Sequence, residues 1–153
     1  MYIEEIVNEM YQELVENNVP FDIKSICRHY NILIAYNNDL SCLMYYKDFP
    51  IIHLKYGSNK EMWEEFTHEL GHFALHETNQ RVTNDMYNDM QESQADKFAI
   101  LFQMPQSVIE CEELFTQEKI MEFFNVDYNK ALQRLKMLCN YYSDCSGVTI
   151  GGV

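Results

Sequence analysis

Five residues, His68-Glu69-Leu70-Gly71-His72, constrain this chain more than any other stretch. Two histidines four apart share one side of an α-helix, so both imidazoles reach a single ion. The glutamate between them points to a neighbouring part of the helix surface, where it can hold a water on that ion. This H-E-x-x-H spacing suits metal-assisted hydrolysis. The same helix carries a second demand. Trp63, Phe66, Leu70 and Phe73 fall at i, i+3, i+7 and i+10, a continuous apolar stripe. At about 100° per residue, His68 and His72 lie about 160° from Phe66 and Leu70 respectively. The stripe must enter a core while the histidine pair faces a cleft. Histidines that merely filled a core would lie on the stripe. Gly71, lacking a side chain, lets another element approach closely there.

A catalytic site of this kind needs a third ligand. His76 continues the histidine row, but on a continuous helix it lies about 12 Å along the axis from His68, too far for both to share one ion. A capping or supporting role suits it better. The longer motif with a glycine and a third histidine also fails, because Leu75 and Thr78 occupy those positions. Residues 77–88 are polar and read as a loop. Helical periodicity then resumes, with Glu92, Ala95, Asp96, Ala99 and Gln103 on one side and Phe98, Leu101 and Phe102 supplying apolar bulk, until Pro105 stops it. Glu92 is the strongest candidate for the third ligand. Small residues, Ser93 and Ala95, lie close by, and Asp96 one turn on can orient a ligating histidine through its second ring nitrogen. A Glu/Asp pair on a helix is ordinarily a solvated surface; the upstream motif turns the reading towards ligation. Two imidazoles and one carboxylate imply a single Zn2+ with an open fourth position.

The remaining periodicity describes a small mixed protein. With 153 residues, 47% hydrophobic and 23% charged, the chain can bury a core as one domain. We place that domain at residues 1–140: helices and a strand block to 57, the metal-site helices over 58–105, a helical tail over 106–140. Residues 141–153 show no periodicity and are expected to be loosely ordered. A helix is predicted over 2–17 from Ile3, Ile6, Val7, Met10 and Leu14, and a second one capped by Asp22. Residues 32–36, 40–46 and 50–56 are rich in β-branched and aromatic side chains. Short breaks separate them, which predicts a three-stranded antiparallel meander. His53 falls in the third strand, where a lone histidine is usually structural. Ser58 or Asn59, Ser107, Thr116 and Asp127 are positioned to cap the later helices.

Charge and cysteine usage exclude several classes. A net charge of −13 argues against gripping a nucleic-acid backbone, although it would suit a basic partner. The acidic start carries no apolar leader, and no stretch approaches the roughly 20 apolar residues of a membrane span, so a cytoplasmic location is expected. Cys27, Cys42, Cys111, Cys139 and Cys145 are odd in number and scattered, which predicts reduced, buried thiols rather than disulfides or a cysteine-bound metal.

Three runs carry a family resemblance: WEEFTHELGHFALH, then ESQADKFAILFQMP, then EKIMEFFNVDYNKALQRLKML. Together, over roughly residues 1–138, they resemble the ImmA/IrrE metallopeptidases. The resemblance implies an α+β, zincin-like fold with the small antiparallel sheet packed by N-terminal, active-site and C-terminal helices. It also implies the gluzincin ligand set His68, His72 and Glu92, with Glu69 as general base. The partner it implies is a helix-turn-helix repressor of a phage, mobile element or stress locus, cut by the enzyme. Two departures stand out: Phe66-Thr67 abuts His68 directly, and Phe102-Gln103 replaces a leucine pair before Met104-Pro105. The rival reading is a zinc-binding regulator that sequesters a repressor or antitoxin without cutting it. Neither the oxyanion-stabilising group nor the substrate contacts follow from the sequence; Tyr87 and His53 are candidates only by their proximity to the motifs.

Overall fold

The computed structural model describes residues 2–76 and 85–151, with side chains described through Asp144 apart from residues 85–87. The chain divides into two compact units, Tyr2–Gln103 and Met104–Val153.

The first unit holds α1 (Tyr2–Glu16), α2 (Ile23–Tyr30), β1 (Leu33–Asn37), β2 (Cys42–Tyr46), β3 (Phe49–Lys55), α3 (Asn59–Leu75) and α4 (Asp85–Gln103). Local chemistry sets the boundaries. Asp22 caps α2 by accepting from the Ser25 N–H, and Asn31 closes that helix in the left-handed conformation. Asn37 Oδ1 accepts from the N–H groups of Asp39 and Leu40, which turns the chain out of β1. Lys47 and Asp48, both at positive φ, form the two-residue turn between Tyr46 and Phe49. Ser58 and Glu61 form a reciprocal capping box that starts α3.

The architecture is α+β, but the sheet is not the meander that the strand spacing predicts. Its order is β1-β3-β2, with β1 parallel and β2 antiparallel to β3. Burial explains the order. Ile52 and Leu54 on β3 are fully buried, so this strand takes the centre, where both edges are paired. Leu33 on β1, and Met44 and Tyr46 on β2, are exposed and suit the edges. The core of this unit gathers Val7, Leu14, Ile26, Ile52, Leu54, Phe66, Leu70, Phe98 and Phe102. Helix α4 starts at Asp85, so part of the segment predicted as a loop is helical; residues 77–84 of it lie outside the described residues.

The second unit contains α5 (Gln106–Cys111), α6 (Gln117–Phe124) and α7 (Tyr128–Gly151). Thr116 and Asp127 cap α6 and α7 as expected, accepting from Lys119 N–H and Lys130 N–H. Pro105 instead takes the N-cap position of α5, with no side-chain cap, so Ser107 lies inside the helix. The backbone of α7 continues through Gly151 rather than loosening at 141. Arg134, 2% exposed, donates through Nε to the Met104 carbonyl at 2.8 Å, tying the arginine of the last resembling run to the methionine of the Met-Pro pair that ends the second. Among the described thiols only Cys27 is fully buried. Cys111 and Cys139 are exposed, against the expectation that all are buried. No helix among the described residues is long and apolar enough to cross a membrane.

Candidate metal centre

The site lies entirely within the first unit, on two helices that Gly71 allows to touch. A Cβ built at Gly71 would sit 3.1 Å from Phe98 Cβ and Cδ1 and 3.2 Å from the Ala95 Cα. The bare backbone of α3 therefore seats against α4 at the turn between the two motif histidines and Glu92. A second tie fixes the pair further along: Gln103 Nε2 donates to Thr67 Oγ1 at 2.7 Å, and Thr67 Oγ1 donates to the Glu64 carbonyl. Both residues belong to the stretches that depart from the resembling family's pattern. Their hydrogen bond gives those departures a packing role.

The apolar stripe behaves as its spacing demands. Phe66 and Leu70 are fully buried, while the His68 and His72 side chains keep 20% and 17% exposure on the opposite side. Glu92 converges on them from α4. Its Oε1 lies 3.0 Å from His68 Nε2 and its Oε2 lies 2.7 Å from His72 Nε2. One ligand atom from each of the three lies within 4.8 Å of the others. Asp96 stands behind the first imidazole, its Oδ1 2.8 Å from His68 Nδ1. An Asp96 carboxylate that accepts the Nδ1 proton leaves His68 Nε2 as the ring nitrogen available to a metal beside Glu92. Burial pushes the His72 imidazole below its ordinary range, against the pull of Glu92's charge. Two imidazole nitrogens and a carboxylate oxygen, converging within 4.8 Å, form a donor set that fits a divalent transition metal. The Glu92 and Asp96 side chains are 59% and 70% exposed, so the cleft opens to solvent on the α4 side. Glu69 is 8% exposed on the helix turn between the two histidines.

Other sequence candidates fare differently. His53 alternates out of phase with the buried Ile52 and Leu54, paired between Ala35 and Cys42 on the sheet's other face, and is not brought to the imidazoles. The Tyr87 side chain lies outside the described residues. His76 ends α3, as the axial distance requires, and its backbone N–H donates to the His72 carbonyl. Its ring also meets the site: His76 Nδ1 is 3.0 Å from His72 Nδ1, and His76 Nε2 is 2.9 Å from Gln94 Oε1. No sequence signal marked Gln94; only its place two residues after Glu92 could have drawn notice.

The model for the IrrE N-terminal-like domain, a peptidase family, matches residues 28–136. The phage-like element PBSX protein XkdA of Bacillus subtilis (strain 168) is 28% identical over 106 residues, which cover 68% of this chain and 54% of that protein. The chain thus matches about half the length of this curated relative.

Proposed function

The chain belongs to the IrrE N-terminal-like peptidase family, and from that premise we propose that it is a zinc-dependent endopeptidase cleaving one protein partner, a helix-turn-helix repressor. The observation that carries this reading is the convergence of His68, His72 and Glu92 within 4.8 Å, with Glu69 on the same turn of α3. These three would hold one Zn2+, with Asp96 orienting His68. The ion supplies Lewis acidity and lowers the pKa of a water towards neutrality. Glu69 accepts the proton of the attacking water and returns it to the leaving amine. The two units act as one peptidase domain over residues 1–140, a reading supported by a family match that runs across their boundary.

The substrate binds extended along β2. That strand has β3 on one side, no strand on the other among the described residues, and α3 packed against it. An added strand gains backbone hydrogen bonds there without unpacking anything. The related protein's name places it on a phage-like element, which supports a repressor of such an element, or of a stress locus, as the partner. With a net charge of −13, the chain engages the repressor's basic protein surface rather than nucleic acid.

The test is to mix zinc-loaded protein with the repressor encoded beside it and look for fragments by mass spectrometry. Glu69→Gln should retain one zinc per chain and lose cleavage by about 10²–10⁴-fold. A Glu69→Gln protein that cuts at the wild-type rate refutes the role of Glu69. A stable complex with both chains intact at all times would instead favour the sequestering regulator.

A further inference from the structure

His76 has two separable parts. Its backbone N–H closes the end of α3 by donating to the His72 carbonyl, as any residue other than proline could. Capping therefore does not explain the ring. The half-buried imidazole stands between His72 Nδ1 at 3.0 Å and Gln94 Oε1 at 2.9 Å, joining a residue of α3 to one of α4.

Following the protons along these three side chains gives the ring a task. An amide oxygen only accepts, so the proton facing Gln94 Oε1 sits on His76 Nε2. A neutral imidazole carries one N–H, so His76 Nδ1 has a lone pair and accepts. With an ion seated between His72 Nε2 and Glu92 Oε2, which stand 2.7 Å apart, Nε2 would give its lone pair to the metal, so His72 Nδ1 would carry the proton and donate to His76 Nδ1. That is the ligating form of the ring. His68 reaches the same state by a shorter route, through the carboxylate of Asp96 on its Nδ1. The two imidazoles are thus aimed by different devices, and α4 supplies the terminal acceptor of both: Asp96 for one and Gln94 for the other.

We propose that His76 and Gln94 form a positioning relay that holds His72 with Nδ1 protonated and Nε2 directed at the metal position. The relay rests on the reading of His68, His72 and Glu92 as ligands. Hydrogen-bonded supports of ligating histidines set ring orientation and ligand basicity, and their loss costs about 10–100-fold in metal affinity. His76→Phe keeps the ring volume and removes the acceptor. His76→Asn places Oδ1 close to the position of Nδ1 and keeps it.

The experiment measures Zn2+ affinity by competition with a chelator for the full chain and both variants. It also follows the His72 Nδ1–H in ¹⁵N-edited spectra of the zinc-loaded proteins. His76→Phe should bind zinc about 10–100-fold more weakly and lose the solvent-protected His72 Nδ1–H. His76→Asn should recover most of the affinity and retain the signal. Wild-type affinity and an intact signal in His76→Phe would overturn the relay, as would His76→Asn binding as weakly as His76→Phe. Wild-type protein that takes up no zinc would overturn the ligand assignment itself, and the relay with it.

Discussion

Gly71→Ala tests the contact on which the site's geometry depends. The new methyl carbon would lie 3.1 Å from two atoms of Phe98 and 3.2 Å from the Ala95 Cα. Neither neighbour can yield easily. Phe98 is fully buried and stacked on Phe102 with ring centroids 5.5 Å apart, and the Ala95 atom is backbone. Overpacking of this kind costs about 1–3 kcal/mol. Replacing glycine by alanine within a helix returns about 1 kcal/mol of propensity. The net expectation is a loss of roughly 1 kcal/mol, within a range of about 0–2. The strain has one cheap outlet, which is to push α4 away from α3. Ala95 is flanked on α4 by Glu92 and Asp96, so that movement draws both carboxylates off the histidines. A metal site tolerates about ±0.2 Å in its ligand distances, so zinc affinity should fall together with stability. Urea denaturation gives the first quantity, as a lower midpoint at unchanged slope, and chelator competition gives the second. If Gly71→Ala were more stable by the full propensity gain and bound zinc as tightly as wild type, the two helices would not be seated on this glycine.

Three further outcomes follow from local features. Asp22→Ala should cost about 1 kcal/mol at neutral pH through the lost cap. Hydrogen bonding to the Ser25 N–H holds the Asp22 carboxyl below its usual 3.8, so the cap's contribution is complete above that value and disappears as pH falls through the lowered one; the gap between wild type and variant in urea melts should close in strong acid. Asp48→Gly should stabilise the protein by about 0.5–1 kcal/mol, because the β2–β3 turn holds this residue at φ 67° and glycine adopts that conformation without steric cost. An unchanged or lower urea midpoint would refute it. Thiol-reactive probes should label Cys111 and Cys139 quickly in the native protein and Cys27 only on unfolding, since burial pushes the Cys27 thiol up to about 12. Peptide mapping after a short exposure reads this directly, and early labelling of Cys27 would count against the core as described.

What could be read from the sequence was whatever is decided within a few residues. The caps at Asp22, Ser58, Thr116 and Asp127, the aromatic stripe of α3 and the glycine opposite α4 are local patterns, and each appears in the structure. The convergence of Glu92 on the histidines was anticipated because a motif on one helix demands a partner from elsewhere. Strand order was not legible. Three short apolar runs fit several pairings, and the outcome depends on which strand must be covered on both edges, a property of the assembled core. The same holds for Gln94 and Gln103, whose partners, His76 and Thr67, come from another helix at separations of 18 and 36 residues. Helix α7 outran its apolar pattern because a nucleated helix extends with one hydrogen bond for each residue fixed, and no proline interrupts residues 128–151.

The strand order also carries directional information. Since β1 and β3 run together and β2 runs against them, a peptide added antiparallel to β2 would travel the same way as β3. Its N-terminal part would lie by the Lys47-Asp48 turn and its C-terminal part by Cys42. A photo-crosslinker at Tyr46 should therefore capture substrate residues preceding those captured from Ser41. The register of a small sheet would then dictate which way round the partner enters the cleft.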